Sequence, residues 1–289
     1  MLKVLTLIIC FGWAFQLNAQ TAIKPKVLLV TAHPDDETGC AATVYRITHE
    51  LNGEVELCVI TNGEAGYKYS TLAEPIYQLK LTEEAIGRKH LPAIRKRELI
   101  KAAKIIGINK IYFLLEKDSH YGLDERDPLD TSWNSTRVEK KLHEIMVKGK
   151  YDFVFCMIPD SSTHAGHKAA TLLILRTIQK LNIPKPIVLA YDVTDSLSTD
   201  KNNFLQLKDY TETRFDRTVA PFEVSRLKKF GFKNRLDYRI IVNWEIAEHK
   251  SQGVMQTAMN RGDIERFYYF ALNSEQGKLK AQELFDALK

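Results

Sequence analysis

The sequence predicts an α/β protein, a mostly parallel sheet flanked by helices with a helical extension at its C-terminal end. Two observations carry that prediction. Short β-rich runs alternate with helical patterns over the first two thirds of the chain, as in successive strand–helix–strand units. Each run is apolar almost throughout instead of alternating, as in strands covered on both faces. The expected strands are residues 27–31, 55–61, 110–114, 153–157 and 187–191, with helices near 38–51, 93–106, 135–147 and 164–181. The second helix is the clearest: Leu99, Ala102, Ala103 and Ile106 recur at helical spacing and Gly107 ends the run.

Right-handed crossovers place the C-terminal end of every strand on one edge, giving a Rossmann-like sheet whose ligand sites sit on that edge. Two stretches stand outside the alternation. Residues 63–92 form a long polar connection carrying Tyr67, Tyr69 and Tyr77, expected as a lid or pocket wall. The tail from 194 to 289 suggests helical segments near 221–230 and 244–259 and a last helix from Ser274.

Of the 289 residues, 1–19 read as a secretory signal: Lys3, an apolar run from Val4 to Leu17, then Ala19. The expected organisation is therefore a leader at 1–19 and one domain at 20–289, with a core at about 25–192 and an extension at about 193–289. Such a protein is expected to be periplasmic or secreted. No second apolar stretch approaches the ~20 residues that span a bilayer, so no stable membrane span is expected. A hydrophobic content of 45% with 27% charged residues excludes disorder, collagen-like repeats and coiled coil. The net charge of +5 is spread along the chain, which argues against a nucleic-acid partner. Cys10 lies in the leader, leaving Cys40, Cys58 and Cys156, an odd number with no framework spacing. A Cys58–Cys156 bridge stays open in an oxidising compartment.

The chemistry concentrates in Ala32-His33-Pro34-Asp35-Asp36-Glu37, directly after the first strand. A helix cap needs one carboxylate; three adjacent ones repel unless something positive holds them, and a divalent cation does so. After the fourth strand, on the same edge, comes Asp160-Ser161-Ser162-Thr163-His164-Ala165-Gly166-His167. His164 and His167 are three apart at a helix start and share a face. Two histidines and one carboxylate make a catalytic-type zinc site with a fourth position open. Ferrous iron or cobalt suits the same donors. One carboxylate and one histidine remain for proton transfer and oxyanion stabilisation.

These two segments resemble the LmbE-like or PIG-L superfamily of zinc-dependent N-acetylglucosamine deacetylases. Thr61-Asn62-Gly63-Glu64-Ala65-Gly66, Arg95-Lys96-Arg97-Glu98-Leu99 and His249-Lys250-Ser251-Gln252 are similar to further segments of that family. The resemblance runs from about Val27 to about Phe267. It implies that His33, Asp36 and His167 hold the metal, that Asp35 is the general base, that His164 stabilises the oxyanion and that Arg95 contacts substrate. A surface ion pair with Glu98 is the alternative for Arg95. The later motif departs from the family's usual His-Pro-Asp-His, since Ala165 and Gly166 stand between its histidines.

The expected activity is metal-dependent hydrolysis of an N-acetyl group on an amino sugar or its conjugate, a small-molecule substrate. The alternatives are an amidase acting on a non-sugar N-acyl group and a carbohydrate-binding relative without turnover. A nucleotide-binding Rossmann protein is disfavoured, because carboxylates occupy the turn where a glycine-rich phosphate loop belongs.

Overall fold

The computed structural model describes residues 23–196 and 203–289, so the leader expected at 1–19 lies outside the described residues. The core elements follow the expected order: β1 (Lys26–Thr31), α1 (Ala41–His49), β2 (Glu54–Thr61), α2 (Glu74–Tyr77), α3 (Glu84–Ile105), β3 (Lys110–Glu116), α4 (Ser135–Gly149), β4 (Phe153–Met157), α5 (Ala165–Gln179) and β5 (Ile187–Thr194). The extension adds β6 (Phe222–Ser225), a two-strand ribbon of β7 (Lys229–Phe230) and β8 (Leu236–Asp237), α6 (Arg239–Glu248), α7 (Gly253–Gln256), β9 (Ile264–Tyr269) and α8 (Glu275–Ala287). No helix among the described residues is long and apolar enough to cross a membrane.

The main sheet has seven strands in the order β3-β2-β1-β4-β5-β9-β6. The first five are parallel, while β9 runs antiparallel to both β5 and β6. Alternate side chains of β1 enter two separate cores, Val27 and Leu29 on one face and Leu28 and Val30 on the other. That is why its sequence is uniformly apolar. The order in which successive strands are added reverses between β1 and β4, which are parallel neighbours in the sheet but far apart in sequence. Their C-terminal ends form the crevice in which such sheets bind ligands.

Cys40, Cys58 and Cys156 are free and buried. Cys58 and Cys156 both pair in register with Val30, one from each side. Two strand spacings put their Cα atoms ~9–10 Å apart, beyond the reach of a disulfide. The bridge left open by the sequence is therefore not formed.

Three further expectations are corrected. Residues 63–92 are largely helical: short turns at Glu64–Tyr69 and Thr71–Ala73 lead into α2, and α3 begins at Glu84, nine residues earlier than expected. Pro92 lies inside α3. It removes one backbone donor, but a small separate core of Ala73, Leu81, Leu91 and Ile94, with Tyr67 and Tyr77 against it, holds the helix across that position. Residues 221–230 form β6 and β7 where a helix was expected. Phe222 and Val224 point inward and Glu223 and Ser225 outward, a strand period. The helix expected over 244–259 breaks into α6 and α7 at His249–Gln252, where His249, Ser251 and Gln252 are buried.

Buried polar contacts lock the extension to the core. Glu265 on β9 accepts the backbone N–H groups of Ala42 (3.0 Å) and Thr43 (2.8 Å), capping α1 from a distant strand. Arg226 Nε binds the same carboxylate at 2.8 Å. Glu98 on α3 accepts the Ser251 N–H (3.0 Å) and hydroxyl (2.6 Å) and the Tyr77 hydroxyl (2.7 Å).

Glu245 on α6 is the exception: it is fully buried and neither carboxyl oxygen has a hydrogen-bond partner among the described residues. Burial, then the Glu37 carboxylate, pushes its pKa well above the usual range, with Arg226 opposing. A carboxyl that is protonated when folded and ionised when unfolded removes stability as the pH rises past its unfolded value. Glu245→Met, of similar length and with no unpaired polar atom, is therefore expected to stabilise the fold by ~1–3 kcal/mol. The gain should be larger at pH 8 than at pH 5. Thermal unfolding of both proteins at the two pH values checks this, and equal or lower stability of the variant would contradict it.

Candidate metal centre and active site

The chain leaves β1 through Ala32 and makes a tight turn in which Asp36 folds back on its own backbone. Its Oδ2 accepts the N–H groups of Ala32 (3.0 Å) and His33 (2.8 Å). From there Asp36 reaches both histidine motifs: Oδ2 lies 3.5 Å from His33 Nδ1 and Oδ1 lies 3.1 Å from His167 Nε2. The histidines come together because β4 lies beside β1, so the turn into α5 opens next to the turn after β1. His33, His164 and His167 each offer a nitrogen, all within 4.8 Å of one another, and form the one such histidine, cysteine or carboxylate group found among the described residues.

This donor set fits a divalent cation, and the remaining contacts assign the nitrogens. His33 Nδ1 faces Asp36, while its Nε2 lies 3.8 Å from Asp118 Oδ1. His167 Nδ1 is held by the Thr163 hydroxyl at 3.0 Å, leaving Nε2 toward Asp36. The His164 Nδ1 accepts the Gly166 N–H (3.1 Å), so only its Nε2 is available to the site. An ion held by His33 and His167 would find its third donor in either Asp36, which lies against both, or His164 Nε2.

The charges agree with a cation-seeking site. Burial disfavours the His33 imidazolium, but Asp36 and then Asp118 outweigh it and raise its pKa to about 9. Burial likewise opposes the Asp36 carboxylate, yet His167 and His33 hold its pKa well below the usual range. His164 goes the other way: burial, then the charges of His33 and His167, push it down to about 4.

Asp35 stands apart from this cluster. Its backbone is left-handed (φ 107°), a conformation that costs a non-glycine residue ~1–3 kcal/mol and persists only where its surroundings impose it. Here the Asp35 N–H donates to Glu37 Oε2 (2.9 Å), its carbonyl accepts the Thr38 hydroxyl (2.8 Å), and its Oδ2 meets Arg95 Nη2 at 3.0 Å. Burial pushes the Asp35 carboxyl up to about 6, with Arg95 opposing. Glu37, itself fully buried, is held by His249 Nε2 at 2.6 Å. Burial disfavours the His249 imidazolium, and Glu37 more than compensates, raising its pKa.

Arg95 is buried on α3, and the surface pair with Glu98 is not formed. Its guanidinium donates to the Gly63 and Pro34 carbonyls and faces Asp35. A Cβ at Gly63 (φ 68°) would lie 2.2 Å from Arg95 Nη1, so this turn requires glycine. All six residues singled out by the sequence meet one cavity of about 540 Å³, which His33, Asp35, Asp36, Arg95, His164 and His167 all line. Tyr67 and Tyr69 line it too, as expected for the 63–92 segment, but Tyr77 does not. Asp118, Tyr121 and Arg261 are among its lining residues that were not anticipated, and Gln252 brings the His249–Gln252 segment to the same wall.

The family model described as PIG-L, GlcNAc-PI de-N-acetylase, matches residues 28–178, more than half of the chain, and the chain belongs to that family. It is 25% identical over 171 residues to the "Probable N-acetyl-alpha-D-glucosaminyl L-malate deacetylase 2" of Bacillus subtilis (strain 168), covering 58% of this chain and 68% of that protein. It is 26% identical over 151 residues to the "Probable N-acetylglucosaminyl-phosphatidylinositol de-N-acetylase" of Dictyostelium discoideum, covering 51% of this chain and 47% of that one. The match thus spans two thirds of the first relative and about half of the second. Among solved structures, the 4-carboxy-2-hydroxymuconate hydratase of Pseudomonas putida KT2440 superposes with a TM-score of 0.53 at 14% identity, covering 87% of this chain and 98% of that one. At that identity the likeness concerns the fold alone.

Proposed function

We propose that this protein is a divalent-metal-dependent hydrolase that removes an N-acetyl group from an amino sugar or its conjugate, with zinc as the favoured ion. The observation that carries the reading is the meeting of two unlike sets of groups in one cavity. Asp36 lies between His33 and His167, while Asp35 and His164 reach the same space and are not needed as ligands. A bound divalent cation would supply Lewis acidity to the acyl group.

The protein's own groups do the rest. The Asp35 carboxylate takes a proton from the attacking water, whose oxygen bonds to the acyl carbon. The proton then passes to the amine nitrogen as the carbon–nitrogen bond breaks, giving acetate and a free amine. Arg95 holds Asp35 against the turn. His164 is a neutral imidazole whose available nitrogen is Nε2, and its Nε2–H donates to the oxygen that becomes negative on attack. The rings of Tyr67 and Tyr69 suit the apolar faces of a sugar. The family membership and the deacetylase names of the two sequence relatives support the same reaction.

Acetate release measured over a panel of N-acetylated amino sugars and acyl amino acids, with and without a chelator, tests the reading. Chelator-sensitive release from the sugars is expected. Release from the acyl amino acids alone would favour an amidase, and none from either would favour a binding protein. His164→Ala is expected to retain its metal and lose ~10²–10³-fold in kcat, as for loss of one oxyanion donor. Near-normal turnover of that variant would reduce His164 to a cap of α5.

A further inference from the structure

The family model ends at residue 178, yet a residue 71 positions further on reaches into the turn that carries the proposed base. We propose that His249 is a positioning residue for Asp35, acting through Glu37; the proposal rests on the reading of Asp35 as the general base.

Two contacts in series carry it. His249 Nε2 meets Glu37 Oε1 at 2.6 Å, and Glu37 Oε2 accepts the Asp35 N–H at 2.9 Å. The Asp35 carboxylate then projects into the cavity beside the ligands. Both intermediate side chains are fully buried, so water does not take the place of either partner. The geometry gives the pair a specific task. Asp35 has φ 107°, which an unsupported aspartate leaves readily, and a single carboxylate spans the turn from its far side. His249 binds the second oxygen of that glutamate and so holds the carboxylate toward the Asp35 N–H. The imidazole is in turn placed by the break between α6 and α7, where Ser251 is tied to Glu98 on α3. His249 lines neither the cavity nor the ligand cluster, so it reaches the reaction through Asp35: through the backbone contact of Glu37, and through its charge, which favours the Asp35 carboxylate.

The test compares His249→Asn with His249→Gln in the full chain reconstituted with zinc. A glutamine amide nitrogen replaces Nε2 and still reaches Glu37, whereas an asparagine amide is too short. In His249→Asn, amide hydrogen exchange of the peptide containing Asp35 is expected to quicken at least ~10-fold. For N-acetylglucosamine as probe, kcat should fall by roughly 10²-fold, the cost of a misplaced catalytic group, with KM and zinc content unchanged. His249→Gln should restore most of both. In an Asp35→Asn background, His249→Asn should cost no more than a further ~2-fold, since its target is already disabled.

Unchanged exchange at Asp35 with kcat within threefold of the parent would overturn the proposal, as would losses that multiply in the double variant. If His249→Asn does not fold, Glu37→Met, which keeps the length and offers neither oxygen, carries the same readouts, and a protected Asp35 amide with parental kcat in that variant overturns it equally. An Asp35→Asn variant with parental kcat would sink the reading of Asp35 as base instead, and the exchange measurement would still decide whether His249 holds the turn.

Discussion

Asp35→Asn is expected to keep its divalent ion and lose ~10²–10⁴-fold in kcat, the usual contribution of a general base. The substitution is nearly isosteric and leaves the turn intact. Its N–H still donates to Glu37, its carbonyl still accepts from Thr38, and asparagine tolerates the left-handed backbone at least as well as aspartate. What disappears is the carboxylate opposite Arg95, 3.0 Å away, and with it the only proton acceptor of the turn that is committed to neither histidine. Burial lifts that carboxyl toward neutrality while Arg95 keeps it from rising further, which suits a base working near neutral pH. Zinc content by elemental analysis and steady-state kinetics on the same preparation separate the two effects. Loss of zinc with loss of rate would mean that Asp35 and Asp36 have each other's roles.

The five core strands were legible because burial on both faces leaves an unmixed apolar run: 153–157 coincides with β4, and 27–31 differs from β1 only by Lys26. The extension was less legible for the opposite reason. Strand β9, Ile-Glu-Arg-Phe-Tyr-Tyr, carries a fully buried Glu265 whose charge is neutralised by Arg226 and the α1 backbone. Nothing local in the sequence marks that glutamate as an inward-facing residue. The helical turns before Pro92 were hidden by the proline, whose missing donor reads as a helix boundary, while the contacts that override it lie in a small core made with Leu81 and Ala73.

The site followed a similar division. His33, Asp35 and Asp36 follow the end of β1 within five residues, His164 and His167 lie on the turn and helix start that follow β4, and the rule that parallel strands present their C-terminal ends on one edge was enough to bring them together. Asp118 obeys the same rule, two residues past β3, but a single aspartate in Lys117-Asp118-Ser119 carries no composition signal. Position relative to the strand end was the available clue. The link from His249 to Glu37 spans 212 residues and depends on where α6 ends, so only packing reveals it. It also answers why three carboxylates follow one another after β1: Asp36 faces the histidines, Asp35 faces Arg95, and Glu37 turns away into the core to hold Asp35 in place.

His33→Ala is expected to abolish stoichiometric metal binding and, with it, turnover. Asp118→Asn is expected to weaken metal affinity by only ~10–100-fold. The distinction follows from the two faces of one imidazole. Nδ1 points at Asp36 and the cluster, and its removal leaves two donors, Asp36 and His167, where three are needed to hold an ion with an open position. Nε2 points at Asp118, whose carboxylate orients the ring and favours a proton on that nitrogen, making the opposite one the better donor. Asparagine keeps the shape of that contact and removes its charge, so the ring stays near its place but binds less strongly. Competition with a chromophoric zinc chelator measures both affinities. Full zinc content in His33→Ala would remove His33 from the ligand set and leave His164 as the third donor of the histidine cluster, whereas parental affinity in Asp118→Asn would free Asp118 for contact with substrate across the cavity it lines.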